Sequence, residues 1–295
     1  MAQRIAVPGV AQVRRRLGDG LFGLVAGPDG HANGERIHRA PGPRWFDEDR
    51  PIRRVHADAS MFVGGLRALL LQSLHPLAMA AVAAHSGYRG DPWGRLQRTG
   101  TFIAVTTFGT AADAEAAIDR IRAVHDRIHG TSPDGRPYRA NDPHLLGWVH
   151  VAEVDSFLRC YQRYGTRPLT PAERDDYVAD TARIGTAIGV IDPPTTEAEL
   201  ADRLAAYRPE LHGTPQARSA ARFMLMTPPL PLLARAPYAV LAAAAVASLP
   251  AWARWPLRLP YLPVTEATAV RLAGHGLIGG LRWVLTPPSR EREIR

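Results

Sequence analysis

The chain is organised around residues 75–150. This stretch reads HPLAMAAVAAHSGYRG (75–90), DPWGRLQRTGTFIAVTTFGT (91–110), AADAEAAIDRIRAVHDRIHG (111–130) and TSPDGRPYRANDPHLLGWVH (131–150). Its two Asp-Pro pairs, at 91–92 and 142–143, each join a helix-capping side chain to a proline suited to the first helical turn. The stretch therefore predicts one helix beginning at Pro92 and another beginning at Pro143.

Between these two starts, residues 112–129 have the period of an amphipathic helix. Apolar side chains recur along one stripe, charged side chains lie off it, and Gly130 ends the pattern. We expect residues 131–141, which are marked by prolines and a glycine, to form a loop. The helix that begins at Pro143 is predicted to continue to Tyr164, where Gly165 stops it.

Helical patterns also extend outward from this stretch in both directions. Residues 61–84 are rich in Leu and Ala and predict a buried helix, with a break at His75-Pro76 because proline lacks a backbone donor. Residues 170–173 form a capping box, and residues 195–197 predict another helix start. Residues 236–253 are apolar but rich in alanine and interrupted by proline, which favours a packed core helix over a membrane span. With no sustained period of two, the predicted fold class is all-α.

We interpret the chain as a single large helical domain over residues 41–270. A basic arm rich in Gly and Arg precedes it at residues 1–40 and is expected to be partly ordered, and a tail follows at residues 271–295. A plain surface loop is the simpler interpretation of the segment near residue 255, and peripheral membrane contact is the alternative. The residues that suggest it are Trp252, Arg254, Trp255 and Arg258.

The charge is unusual, because all 36 basic residues are arginine and the formal net charge is +8. A basic chain suggests nucleic acid or an anionic surface. The arginines are scattered, however, apart from 14–16, and no recognition-helix or RNA-binding motif is present, so we expect no nucleic-acid partner. Gly18 and Asp19 interrupt any apolar segment of a secretion signal, and the predicted location is the cytoplasm.

Three histidines are candidates for holding a metal or cofactor. Cys160 is the only cysteine, so any metal must bind histidine or carboxylate. His125 lies in the apolar stripe of residues 112–129, either as a core histidine bonded to a carbonyl or as a ligand to iron or zinc. His129, one turn later, ranks behind it because the helix dipole there favours the protonated form. His150 shares a face with apolar residues and is a second candidate or a supporting partner.

Arg95, Arg98 and Thr99 form a second candidate set near the start of the helix that begins at Pro92. Spacings of three and four residues place them on one side of that helix. Two guanidinium groups and a hydroxyl can grip a carboxylate or phosphate, or stabilise negative charge on bound oxygen. The alternative is a solvated face whose charges are incidental.

The order of these motifs resembles the family of MpaB-like and rubber (latex-clearing) oxygenases, long catalogued as a domain of unknown function. In sequence, the motifs are His-Pro, His-Ser, Asp-Pro-x-Gly-Arg-x-x-Arg-Thr, His-x-x-Ile-x-Gly, Tyr-x-x-x-Asp-Pro and Trp-x-His. The resemblance covers residues 44–265. It implies a mostly helical, globin-like core that binds haem b through one proximal histidine. Characterised relatives use dioxygen to cleave carbon–carbon double bonds of polyisoprenoid chains.

Carried over by position, the resemblance makes His125 the proximal iron ligand and Arg95 and Thr99 the family's distal-side residues. Arg98 stands where rubber oxygenases carry a lysine that can occupy the distal iron position. A guanidinium is a poor ligand because it stays protonated, which argues against the same resting state. Rubber oxygenases also carry a catalytic glutamate upstream of the arginine, whereas residues 77–90 contain no carboxylate.

The resulting hypothesis is a haem b-dependent oxygenase that acts on a hydrophobic, isoprenoid or lipid-like small molecule with dioxygen. Arg95, Arg98 and Thr99 would surround bound oxygen, with His125 as axial ligand and His129 or His150 as alternatives. A second hypothesis is a helical protein that binds haem or a hydrophobic ligand without turnover. A third is non-haem metal hydrolysis with His125, His129 and Asp126, ranked last because Asp126 points about 100° away from His125 around the helix.

Overall fold

The computed structural model describes residues 8–87 and 89–286, and within these ranges the chain is predominantly helical. The elements in chain order are α1 (Pro8–Ala26), α2 (Gly30–Arg39), α3 (Pro51–His56), α4 (Met61–Gln72), α5 (Pro76–His85), α6 (Pro92–Phe108), α7 (Ala111–Asp126), β1 (His129–Thr131), β2 (Pro137–Arg139), α8 (Pro143–Tyr164), α9 (Pro171–Ile188), α10 (Glu197–Tyr207), a 3₁₀ turn (Arg208–Glu210), α11 (Pro215–Met226), α12 (Leu232–Ser248), α13 (Ala251–Leu257), α14 (Pro263–Thr265), a π-helical turn (Glu266–Val270) and α15 (Arg271–Leu285). The predicted all-α class is confirmed, whereas the globin-like core stays a prediction.

The caps that the sequence predicts are formed. Asp91 accepts a hydrogen bond from the Gly94 amide at the start of α6, and Asp142 accepts from the first amides of α8. Thr170 and Glu173 form a reciprocal capping box at α9. Each cap satisfies amides that a helix end leaves without intrahelical partners.

Helix α8 is the centre of the core, and α4 packs most extensively against it. Trp148, Tyr161 and Tyr164 of α8 are among the largest fully buried side chains. Gly64 of α4 lets the two helices approach closely, since a Cβ there would lie 2.8 Å from Phe157 Cδ1 and 3.3 Å from Phe157 Cα. Any side chain at residue 64 would therefore separate the two central helices.

The predicted break at His75-Pro76 is present as a sharp bend between α4 and α5, which differ in direction by 108°. Within the described ranges no single helix is long and apolar enough to cross a membrane. The pairs α4–α5 and α12–α13 meet that criterion only when each is taken together across its bend. Most of α4 is buried in the core.

Helices also form in the two segments that flank the predicted domain. Helices α1 and α2 lie within residues 1–40, and α15 occupies the described part of residues 271–295. The domain bounds stay a prediction. Helix α1 is tied to α15, where Arg14 Nε donates to the Trp283 carbonyl at 2.7 Å. The apolar segment 236–253 is divided between α12 and α13, because the chain becomes extended at Leu249 and Pro250.

The interpretation of residues 252–258 as a surface loop is wrong, because this segment is largely helix α13. Arg254 is buried and makes an ion pair with Glu266 at 2.7 Å. Peripheral membrane contact by the segment stays a prediction. Trp255 is the member of the set whose side chain remains exposed.

Candidate functional site

His125 lies in the last turn of α7 and is half-buried. Its Nδ1 atom is buried and has no hydrogen-bond partner. Burial lowers the pKa of the imidazole, and the nearby Asp126 carboxylate only partly opposes this effect. The ring is therefore neutral at physiological pH and keeps a nitrogen lone pair, which is the form that binds metals.

His150, on α8, has the same combination of features. Its Nε2 atom is buried without a hydrogen-bond partner, and burial lowers the pKa to about 4. The ring packs against Gly185 of α9, where an added Cβ would lie 2.9 Å from the ring Cε1. The buried, neutral state of His150 agrees with the inward orientation that the sequence predicts.

Helix α9 brings the segments around these two histidines together. Gly185 contacts the His150 ring, and two residues later the Ala187 carbonyl accepts a hydrogen bond from Arg122 of α7 at 3.4 Å. Arg122 and His125 are three residues apart and therefore lie on neighbouring positions of one helical face. His125 and His150 thus come from helices that converge on the last turns of α9.

Sequence reasoning missed Glu153, which lies one turn after His150 on α8. It is half-buried, and burial raises the pKa of its carboxyl to about 7. Tyr177 of α9 lies close enough for the Glu153 charge to raise the pKa of the phenol, although burial is the larger cause. The spacing of His150 and Glu153 could have identified it, since residues three apart share a helical face.

His56 of α3 extends this polar interior. Its Nδ1 lies 2.8 Å from Thr107 Oγ1 of α6, and its Nε2 lies 3.4 Å from the Tyr177 hydroxyl. Burial lowers the pKa of His56 to about 3. The chain of contacts from α6 through α3 to α9 shows that titratable groups are built into the interior on several helices.

His56, His125, His150 and Glu153 are each enclosed deeply enough for desolvation to be the main cause of the pKa shift. Each nevertheless keeps part of its surface accessible. The four groups are therefore deep in the fold without being completely closed off from solvent.

The three residues predicted to surround bound oxygen lie in the first half of α6. Arg95 is half-buried and donates to Ser86 Oγ at 2.9 Å. Arg98 is exposed and makes an ion pair with Asp91 at 3.2 Å, and Thr99 is also exposed. Arg95 is thus the member of this set with an inward hydrogen bond, and the role of the set stays a prediction.

His129 does not lie on the helix of His125. Helix α7 ends at Asp126, where the Arg127 and Ile128 amides bond to carbonyls three residues earlier, and His129 opens β1 opposite Arg139. The side chain is exposed. The predicted continuation of this helix to His129 is therefore wrong, because a β-hairpin replaces the last helical turn and the predicted loop. His129 as a ligand stays a prediction.

The non-haem hydrolase hypothesis loses its ligand set for the same reason. Asp126 accepts a hydrogen bond from Asn141 at 2.8 Å. Among the described residues, the side chains close enough to share one ion are His75, His144 and Glu210. Sequence reasoning missed this group because its members are far apart in the chain.

A cleft of about 590 Å³ lies on another side of α8. Charged side chains contribute much of its lining, among them Arg67, Asp155, Arg159, Arg163 and Arg271. None of the histidines described above lines it. Its charge suits a hydrophobic ligand poorly, and we do not assign the candidate site to it.

The structure is an all-α fold, and two of its histidines, His125 and His150, are neutral and each have a buried ring nitrogen without a hydrogen-bond partner. Neutral imidazole is a common metal ligand. Comparison of the sequence with protein families specifies the class. The model described as "ER-bound oxygenase mpaB/B'/Rubber oxygenase, catalytic domain" matches residues 53–283, and the chain therefore belongs to this family. The resemblance drawn from the motif order is confirmed.

Individual relatives say less about function than the family does, because both are uncharacterized and match only part of the chain. The chain is 32% identical over 100 residues to the uncharacterized protein Mb2261 of Mycobacterium bovis and to the uncharacterized protein Rv2237 of Mycobacterium tuberculosis. Each match covers 34% of this chain and 38% of the relative. No solved structure matches the chain.

Proposed function

We propose that the protein is a haem b-dependent oxygenase that acts on a hydrophobic, isoprenoid or lipid-like small molecule, with His125 as the proximal ligand. The observation that carries the proposal is the neutral, half-buried imidazole of His125, whose Nδ1 has no partner in the protein. The motif resemblance implies that His125 corresponds to the proximal histidine, and the chain belongs to the oxygenase family. Bound haem would supply the activation of dioxygen.

Other residues of the chain have defined tasks in this proposal. Arg95, whose guanidinium donates to Ser86 Oγ, would stabilise negative charge on oxygen, with Arg98 and Thr99 nearby on α6. Glu153 supplies the carboxyl that is absent from residues 77–90. With a pKa raised to about 7, its carboxyl can hold or release a proton near neutral pH, as a general acid or base requires.

A hydrophobic substrate is supported by apolar side chains on the helices that carry the site. Ile103 of α6, Ile121 of α7 and Ile184 of α9 are half-buried, like the polar groups of the interior. A pocket lined mainly by apolar side chains with a few convergent polar groups is typical of small-molecule sites. We propose that such a substrate enters between these helices.

The first experiment is a visible spectrum of the purified full chain after expression with haem supply. We expect a Soret band and about one haem per chain. His125→Ala should abolish most of the bound haem, because the iron loses its protein ligand. His150→Ala should retain haem, and His31→Ala, an exposed histidine of α2, serves as the matched control.

The outcomes separate the proposal from its alternatives. Absence of a Soret band in the parent protein, or full haem content in His125→Ala, would overturn the assignment. Haem loss in His150→Ala alone would move the ligand to α8. A protein that binds haem but consumes no oxygen with reductant and a panel of terpenoids would be a binding or sensor protein.

A further inference from the structure

A second cluster of ligand-type side chains lies where three segments of the chain meet. His75 stands at the bend between α4 and α5, His144 in the first turn of α8, and Glu210 in the 3₁₀ turn after α10. One ligand atom from each residue lies within 4.8 Å of the other two. None of the three belongs to the proposed haem site.

We propose that His75, His144 and Glu210 bind one divalent transition-metal ion, with Zn²⁺ as the best match. Two imidazole nitrogens and one carboxylate are an established zinc ligand set that leaves a further position open to water. Imidazole and carboxylate together also favour zinc over calcium or magnesium, which prefer oxygen ligands alone.

The distances are close to those that coordination requires. Zinc–ligand bonds of about 2.1 Å in a tetrahedron separate neighbouring ligand atoms by about 3.4 Å. His75 Nε2 lies 3.4 Å from Glu210 Oε2, and His144 Nε2 lies 2.9 Å from both Glu210 oxygens. The two imidazole nitrogens, within 4.8 Å of each other, would approach by up to about 1.4 Å.

Aromatic packing holds the rings in place before any ion binds. Tyr207 packs on the His144 ring with centroids 4.7 Å apart, and its hydroxyl donates to the His144 carbonyl at 2.8 Å. Trp148 lies between Tyr207 and His75, with centroid distances of 5.3 and 6.4 Å. Ligands that are already oriented lose less conformational entropy when the metal binds.

The backbone also fixes Glu210 next to the bend. The His212 amide donates to the Leu74 carbonyl at 2.7 Å, which joins the segment after the 3₁₀ turn to the residue before His75. His75 is almost fully buried, whereas His144 and Glu210 keep part of their surface exposed. The site is therefore anchored on one side and open to ions and water on the other.

Two features oppose binding, and both are weak. His75 Nδ1 accepts from the Ala78 amide at 3.5 Å, and a neutral ring that binds metal through Nε2 would give up this long contact. Arg136 lies near enough to influence His75 and Glu210. Its charge is offset by Asp134, with which it pairs at 2.7 Å.

The test is a calorimetric titration of the full-length, untagged protein, freed of metal by EDTA and dialysed, with ZnCl₂. We expect one Zn²⁺ per chain and a dissociation constant in the micromolar range or below. His144→Ala and Glu210→Gln should each weaken binding at least 30-fold. Both side chains are partly exposed, so the variants should fold, which circular dichroism would verify. His31→Ala is the control and should bind as the parent does.

A second measurement separates this site from the haem site. Zn²⁺ should raise the unfolding temperature of the parent and of His31→Ala but not of Glu210→Gln, because only a bound ligand stabilises the folded state. The Soret band of Glu210→Gln should equal that of the parent, so failure of one proposal leaves the other intact. Absence of stoichiometric binding, or equal binding by parent and both variants, would overturn the zinc site.

Discussion

Replacing Asp155 with alanine is expected to lower the free energy of unfolding by about 3–5 kcal/mol, because the change leaves a buried charge without its partner. Asp155 Oδ2 accepts from Arg67 Nη2 at 2.7 Å, and the two side chains are 6% and 3% exposed. Arg67 also donates to the Ser248 carbonyl at 2.9 Å and to Ser156 Oγ at 2.6 Å. Those bonds would remain, but neither supplies a negative charge.

Urea unfolding followed by circular dichroism measures this effect. Asp134→Ala is the matched control, since Asp134 pairs with Arg136 at the same 2.7 Å distance on the exposed surface. Exposed ion pairs contribute little, and we expect almost no change in its urea midpoint. The double variant Arg67→Met/Asp155→Leu should recover much of the loss, because it removes both buried charges. An Asp155→Ala protein with the parent's midpoint would contradict the prediction.

Replacing Glu153 with glutamine is expected to stabilise the protein at pH 8 but not at pH 4.5. Burial raises the pKa of the Glu153 carboxyl from 4.5 to about 7 in the folded state. Between these values the unfolded chain releases the proton while the folded chain retains it, so stability falls as pH rises. A tenfold difference in acid dissociation constant between the two states corresponds to about 1.4 kcal/mol, so the shift from 4.5 to about 7 gives an upper limit of about 3.5 kcal/mol above pH 7.

Because part of the Glu153 side chain is accessible, we expect a gain of about 1–3 kcal/mol for Glu153→Gln at pH 8. The measurement is the urea midpoint of parent and variant at several values between pH 4.5 and 8.5. Glu115→Gln, an exposed substitution on α7, should match the parent throughout. A constant difference between Glu153→Gln and the parent over this range would contradict the prediction, because it would show that the carboxyl has the same pKa in the folded and unfolded states. Oxygen consumption by Glu153→Gln then tests its role as acid or base.

Local chemistry made much of the fold predictable. Helix starts at Pro92, Pro143 and Pro171 follow from an Asp or Thr cap joined to proline, which acts within a few residues. The bend at His75-Pro76 follows from the missing proline donor. Because these features depend only on residues close together in the chain, the sequence alone predicts them.

The departures arise where distant parts of the chain decide the structure. Residues 127–129 have a helical pattern, yet the Ala140 amide bonds to the Ile128 carbonyl and β2 pairs with β1. Helix α1 has only a weak apolar pattern and is held by contacts with α6 and α15. Tertiary contacts of this kind override local propensity.

In the candidate site, too, residues on one helix could be predicted from the sequence, whereas groups assembled from distant segments could not. His125 and His150 are apparent from helical faces and motif order, because each lies on a single amphipathic helix. Glu153 shares the face of His150, but its raised pKa depends on burial by other helices. The group of His75, His144 and Glu210 combines three segments, and no spacing within the sequence reveals it.

Helix α8 carries groups of both proposed sites, so a movement of the helix at one site would also move the other. It carries His144 in its first turn, His150 and Glu153 in its middle, and Asp155 beyond them. At 1.5 Å per residue, His150 lies about 9 Å and Glu153 about 14 Å along the axis from His144. The hydrogen bonds of a helix make it stiff along its axis, so a shift imposed at the first turn moves the groups beyond it. One continuous helix, α8, therefore connects the bend at His75, which lies next to His144, with the interior around Glu153.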